Sequence, residues 1–144
     1  MKLTTTWQGN ALFEASDGAH KSSMDAKAPF GKDTALSPKQ LCLAAITGCT
    51  GVDVVLLLKK TKKELRQFRI DADAPVTEGY PAIFREVQLD FHIEGDMSAE
   101  QAEEAVRLSQ TKYCGVSAMI AKACPIHYRV HLNGALVNEG QAKF

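Results

Sequence analysis

At 144 residues the chain is long enough for one domain of the commonest size. Seventeen Lys plus Arg balance seventeen Asp plus Glu, which excludes the charge excess that nucleic-acid binders and acidic tails rely on. With 45% hydrophobic and 24% charged residues the composition excludes disorder, and four cysteines (Cys42, Cys49, Cys114 and Cys124) are too few and too widely spaced for a small disulfide scaffold.

Three short strands are predicted first, Leu3 to Trp7, Ala11 to Ala15 and His20 to Met24, separated by the turn dipeptides Gly9-Asn10 and Asp17-Gly18. Met1 to Gln8 has neither a basic n-region nor an apolar h-region, so a reducing cytoplasm is the expected compartment. Ser37 as N-cap, Pro38 at the first helical position and Gln40 as a capping-box partner predict a helix from Pro38 to about Lys60. It is apolar almost all round, which predicts burial. The run Leu41 to Leu58 could pass for a membrane span. However, Thr47, Gly48, Thr50, Gly51 and Asp53 interrupt it, so a core helix is expected, with no membrane partner.

Strands follow. Phe68, Ile70, Ala72 and Ala74 alternate with Arg69, Asp71 and Asp73, and Val87, Leu89, Phe91 and Ile93 alternate with polar residues until Gly95. Ser98 and Gln101 form a second capping box for an amphipathic helix to about Tyr113, closed by Cys114 and Gly115. A short helix over Val116 to Ala123 and a final strand over Ile126 to Leu132 complete the order. The expected fold class is α+β, a single domain over 1–144 with an antiparallel sheet packed on the central helix.

Cys42 and Cys49 lie seven residues apart on one helix, about 10 Å along its axis, too far to pair. A disulfide from this helix must reach a second element, with Cys114 or Cys124 as the other half. Gly48 and Gly51 flank Cys49 in the helix interior, and Ala44, Gly48, Gly51 and Val55 read as a shallow groove for another backbone, such as a second copy of this helix. Asp53 lies one turn from Cys49 on the same face. Taken alone, these residues also fit a bland reading, a small core thiol beside a paired acid. No Cys-x-x-Cys pair and no helical i, i+4 His pair occurs, so no metal is expected. His20, His92, His127 and His131 read as wet strand residues.

The run from Ser37 to Val54, with Gly48-Cys49-Thr50-Gly51-Val52-Asp53-Val54 at its end, resembles the central-helix signature of the OsmC/Ohr family. Lys112-Tyr113-Cys114-Gly115-Val116-Ser117 resembles that family's second cysteine motif, and Tyr80-Pro81 with the strand from Phe84 to Gly95 is similar to its middle strands. The resemblance covers essentially the whole chain. It implies antiparallel sheets wrapped around a long buried central helix, and an intertwined homodimer with two active sites at the subunit interface. It also implies thiol peroxidase chemistry on hydroperoxides, organic ones in particular, without a cofactor. In this reading Cys49 is the peroxidatic nucleophile, Cys114 the resolving thiol, and a lipoyl-type or similar dithiol the reductant.

Two family features differ. Lys39 stands where many members carry a Glu, and the first arginine of the chain is Arg66, so the N-terminal Arg of those members has no counterpart. The chain is therefore closer to the small redox-protein subgroup whose helix reads Gly-Cys-x-x-x-Asp-Val. Asp53 and Lys39 are the candidate supporting residues at Cys49, with Arg85 and His20 as further substitutes for the missing charge. Cys42 and Cys124 match no family motif and are read as structural thiols. The alternative reading is a non-peroxidase protein of the same fold that binds a small apolar ligand at the dimer interface.

Overall fold

The computed structural model describes residues 1–144, which divide into two compact units, Met1–Ala44 and Ala45–Phe144. The first holds an antiparallel three-stranded sheet in the order β1 (Thr4–Trp7), β2 (Phe13–Ser16) and β3 (Lys21–Met24). Asn10 takes φ 48° and Gly18 takes φ 100°, the left-handed values that tight hairpin connections need. After β3 the chain wraps around a buried carboxylate. Asp25 accepts from the backbone N–H groups of Ala26, Lys32 and Thr34 (2.8, 3.2 and 3.1 Å) and from the Thr34 hydroxyl (2.8 Å). These donors, the Thr34 backbone first, hold its carboxyl below the usual carboxylate range. Gly31 sits so close to this knot that a Cβ would lie 2.1 Å from the Ala26 carbonyl oxygen and 2.4 Å from Asp25 Oδ1.

Helix α1 (Pro38–Lys60) begins as its sequence dictates. The Ser37 N–H and hydroxyl both donate to Gln40 Oε1 at 2.8 and 2.9 Å, while the Gln40 N–H approaches Ser37 Oγ at 3.4 Å. Lys59 and Lys60 complement its C-terminal dipole. The helix is long and apolar enough to cross a membrane by length and composition. Here, however, a single stripe, Ile46, Thr50, Val54 and Leu58, packs into the core of the second unit at strict i, i+4 spacing. The expectation of burial all round is thus corrected for the single chain: Val52 and Leu56 are 61% and 55% exposed, and Ala45 and Gly48 lie on the same open side. The predicted glycine groove also separates into two parts. Gly51 faces β4, where a Cβ would come within 3.5 Å of Ile70 and 3.7 Å of Phe68, whereas Gly48 faces open space.

The second sheet runs β4 (Leu65–Asp73), β5 (Val87–Gly95), β6 (Ile126–Leu132) and β7 (Ala135–Gln141), in that order. Val87, Leu89, Phe91 and Ile93 of β5 and Ile126, Tyr128 and Val130 of β6 are buried on one face, with Phe68 stacked on Phe91 at 6.4 Å between centroids. Helix α2 (Ala99–Leu108) packs against β6 and β7 through its Ala102, Ala105 and Val106 face, and its Ser98–Gln101 capping box is reciprocal. Two expectations are corrected. The sheet is mixed rather than antiparallel, because β5 and β6 pair in parallel; the connection between them is a helical crossover, which returns the chain in the same direction. And Ile126–Leu132 is not the last strand. Asn133 and Gly134, at φ 50° and 86°, form a two-residue turn into β7. Gly140 then leaves room for the ring of its register partner Tyr128, since a Cβ there would lie 2.6 Å from it.

The predicted helix to Tyr113 also changes character part-way. α2 stops at Leu108 and continues as a π-helical turn, Ser109–Tyr113, before Cys114 and the short helix α3 (Gly115–Ile120). The outer face of the second sheet carries a polar ladder. Arg69, His92 and His131 share one register row, and Asp71, Asp90 and Arg129 the next. His92 Nε2 lies 3.1 Å from Asp71 and His131 Nε2 3.3 Å from Asp90, with the two imidazoles stacked at 4.7 Å. Arg129 grips Asp90 through two nitrogens at 2.6 and 2.8 Å, which chiefly holds that carboxyl below its ordinary range.

Candidate thiol site

Within the second unit, the Sγ atoms of Cys49 and Cys114 and a carboxylate oxygen of Asp53 all lie within 4.8 Å of one another. Cys49 and Asp53 are one helical turn apart on α1 and therefore project from the same face. Cys114 arrives from the other side of the sequence, where the π turn ends. Its N–H donates to the Ser109 carbonyl at 3.0 Å, and its φ of −70° and ψ of 98° leave the helical region and turn it into the N-cap of α3.

The two sulfurs have unequal surroundings. Cys49 is partly accessible, whereas Cys114 is fully buried. Cys114 Sγ accepts from the Ser117 N–H at 3.3 Å and from the Ser117 hydroxyl at 3.1 Å. Burial pushes the Cys114 thiol above its ordinary range; Ser117 pulls against this, and the neighbouring Cys49 sulfur reinforces the rise. Of the two sulfurs, the one that meets solvent is Cys49. All four cysteines are free.

Asp53 is held by a directional chain. Gln110 Nε2 donates to Thr50 Oγ1 at 2.8 Å, Thr50 and Ser109 share a hydroxyl–hydroxyl bond of 2.7 Å, and the Ser109 hydroxyl donates to Asp53 Oδ2 at 3.0 Å. Because Ser109 spends its proton on Asp53 and Thr50 Oγ1 accepts from Gln110, the shared bond runs from Thr50 to Ser109. Thr50, Ser109 and Gln110 are fully buried, and Gln110 Oε1 has no partner. These residues, with Ser117, were not among the sequence candidates. Ser117 stood inside the second cysteine motif and Thr50 beside Cys49, but nothing local tied Ser109 or Gln110 to either.

The structure therefore brings together Cys49, Cys114 and Asp53. Lys39 lies in the first turn of α1, exposed and about 15 Å up the helix axis from Cys49. His20 is exposed and bonded to Asp17. Arg85 is exposed in the loop before β5, its backbone N–H on the Pro75 carbonyl. Cys124 is a buried thiol raised by burial alone, in keeping with a packing role, whereas Cys42, expected to be structural, is exposed. The three candidate groups are the right types for a metal ion although none was expected, since thiolates and a carboxylate suit zinc-like cations.

The chain is similar to known proteins in sequence and in fold. The OsmC-like protein family profile matches residues 31–129. Protein YhfA of Escherichia coli K12 is 30% identical over 128 residues, covering 88% of this chain and 93% of its own. Among solved structures, a hypothetical protein from Aquifex aeolicus superposes with a TM-score of 0.83 at 25% identity, covering 92% and 95% of the two chains. An organic hydroperoxide resistance protein from Elizabethkingia anophelis shares the fold with a TM-score of 0.66 at 18% identity, over 90% and 92%. With its α+β fold and with the family profile spanning both the central helix that carries Cys49 and the turn that carries Cys114, this chain belongs to the OsmC-like protein family.

Proposed function

We propose that the protein is a cytoplasmic thiol-dependent peroxidase that reduces hydroperoxides, organic ones in particular, through Cys49 and Cys114. The single observation that carries this reading is the pairing of a partly accessible sulfur with a fully buried one within 4.8 Å. The Cys49 thiolate attacks the outer oxygen of ROOH. The O–O bond breaks, ROH leaves after protonation, and Cys49 becomes a sulfenic acid. Cys114 then attacks that sulfur, expelling water and forming the Cys49–Cys114 disulfide. An external dithiol reduces it by two exchange steps and is itself oxidised to a disulfide. The similarity to a protein named for organic hydroperoxide resistance supports the substrate class.

The reading includes a homodimer. Ala45, Gly48, Val52 and Leu56 form an open apolar stripe along α1, and a second copy of the same helix would cover it. Asp53 acts as a positioning residue whose carboxylate, fixed by Ser109, faces both sulfurs.

The test mixes the reduced protein with cumene hydroperoxide. Peptide mass mapping should find a Cys49–Cys114 disulfide, and Cys49→Ser should abolish peroxide consumption. In Cys114→Ser the sulfenic acid should persist long enough for capture by dimedone. If the wild type consumes no peroxide with any dithiol while both thiols stay reduced, the proposal fails and ligand binding by the same fold takes its place.

A further inference from the structure

We infer that the reduced chain has a built site for one zinc-type cation, ligated by Cys49 Sγ, Cys114 Sγ and an Asp53 carboxylate oxygen, with the fourth position open to solvent. Tetrahedral Zn²⁺ with bonds of about 2.3 Å to sulfur and about 2.1 Å to oxygen sets ligand separations of about 3.8 Å for S···S and about 3.6 Å for S···O. All three separations are already within 4.8 Å, so each needs to close by about 1.2 Å at most. Two thiolates and one carboxylate are the donor set a borderline-soft d¹⁰ cation selects over Mg²⁺ or Ca²⁺, which require oxygen-rich shells.

The surroundings of the ligands argue further than their proximity. Metal-bound thiolates and carboxylates are oriented by donors in the layer behind them, and two of the three groups have such donors in place. Cys114 Sγ receives both the N–H and the O–H of Ser117, which stabilise negative charge on that sulfur. Asp53 Oδ2 receives the Ser109 hydroxyl, backed by Thr50 and Gln110, which fixes the orientation of the carboxylate. Accessibility divides accordingly: Cys114 forms the closed floor, while Cys49 and Asp53 are partly exposed and define the entry side. Binding takes up one M²⁺ and releases the protons of the two thiols, with no change of oxidation state. It holds both sulfurs as metal thiolates, so occupancy and peroxide reduction compete for the same groups. The proposal does not depend on the peroxidase reading, because it concerns the reduced chain without any oxidant.

The experiment uses the full-length protein, reduced, stripped of metal and kept anaerobic. Co²⁺ titration should give thiolate-to-cobalt charge-transfer absorption and intense d–d bands of tetrahedral coordination, saturating at one equivalent per chain, with Zn²⁺ displacing the Co²⁺. Cys49→Ser and Cys114→Ser should each weaken the charge-transfer band, and the double variant should abolish it. Asp53→Asn should weaken binding by roughly tenfold or more, and Ser109→Ala by about 10- to 100-fold as a loss of ligand support. Cys42→Ser and Cys124→Ser should bind as the wild type does, and circular dichroism confirms that each variant folds. Octahedral, thiolate-free Co²⁺ spectra, or binding that survives the Cys49→Ser, Cys114→Ser double variant, overturns the site. Peroxide consumption by the metal-free protein is measured separately, so a failed metal titration with intact turnover refutes this inference alone.

Discussion

Thr50 sits at the centre of the buried hydroxyl network, and removing its oxygen tests the network directly. Thr50→Val is nearly isosteric and similar in helix propensity, so it opens no cavity and leaves α1 intact. The side chain is fully buried, and its Oγ1 carries two bonds, to Ser109 at 2.7 Å and Gln110 at 2.8 Å. Gln110 already has a buried Oε1 without a partner, so the substitution strands its amide nitrogen as well. An unsatisfied buried donor costs about 1–3 kcal/mol, and the lost bond to Ser109 adds about 1, which gives a destabilisation of about 2–4 kcal/mol. For a chain of this size that is a fall in Tm of about 5–15 °C. Urea unfolding at fixed protein concentration measures it, with Gln110→Met completing a double-mutant cycle. Once the amide is gone, the missing hydroxyl matters less, so the double variant should be about 1–2 kcal/mol more stable than the sum of the singles predicts. A Thr50→Val change within about 0.5 kcal/mol of the wild type, or strict additivity in the cycle, would refute the assigned network.

Three further outcomes follow from other parts of the molecule. Gly31→Ala should cost about 2 kcal/mol or more, because its Cβ would meet the Ala26 carbonyl at 2.1 Å and Asp25 at 2.4 Å; a Tm unchanged from wild type contradicts that packing. Cys114, Cys124 and Tyr128 all have raised pKa values, burial being the first cause in each, so folding favours their protonated forms. Their contribution is therefore complete below the unfolded thiol pKa of about 8.5 and is lost as pH rises through the folded values, by up to about 1.4 kcal/mol per pH unit per group. Denaturation between pH 8 and pH 11 checks this, and Cys124→Ala should flatten the slope. Iodoacetamide should label Cys49 well before Cys114 in the native protein, and equal rates by mass spectrometry would contradict the burial of Cys114.

What was legible in the sequence was mostly local. The Ser37–Gln40 and Ser98–Gln101 boxes fixed two helix starts because each is complete within four residues. The period-two pattern of Val87 to Ile93 marked β5 because one face is buried and the other carries the polar ladder. Asp53 stood out as an acid in an apolar helix. Its stabiliser did not, since Ser109 is 56 residues away and reads alone as an ordinary helix hydroxyl. The parallel pairing of β5 with β6 depends on where a long crossover returns, which no local pattern encodes. The Asn133-Gly134 turn was in fact readable and would have announced β7. The sequence predicts more burial of α1 than one chain provides, because hydrophobicity all round a helix shows that its faces are apolar but not which of them the same chain covers.

The π turn has a consequence of its own. Each residue of a helix rotates the chain by about 100°, so the wider turn at Ser109–Tyr113 redirects everything after it relative to a regular continuation of α2. It brings Ser109 and Gln110 to the inside together and delivers Cys114 to Cys49 instead of carrying it around the helix. Deleting one residue from that turn would change no side chain of the pair and yet swing Cys114 out of reach. The site is thus vulnerable to changes in chain length as well as in chemistry: its two sulfurs meet because of how many residues lie between Leu108 and Cys114.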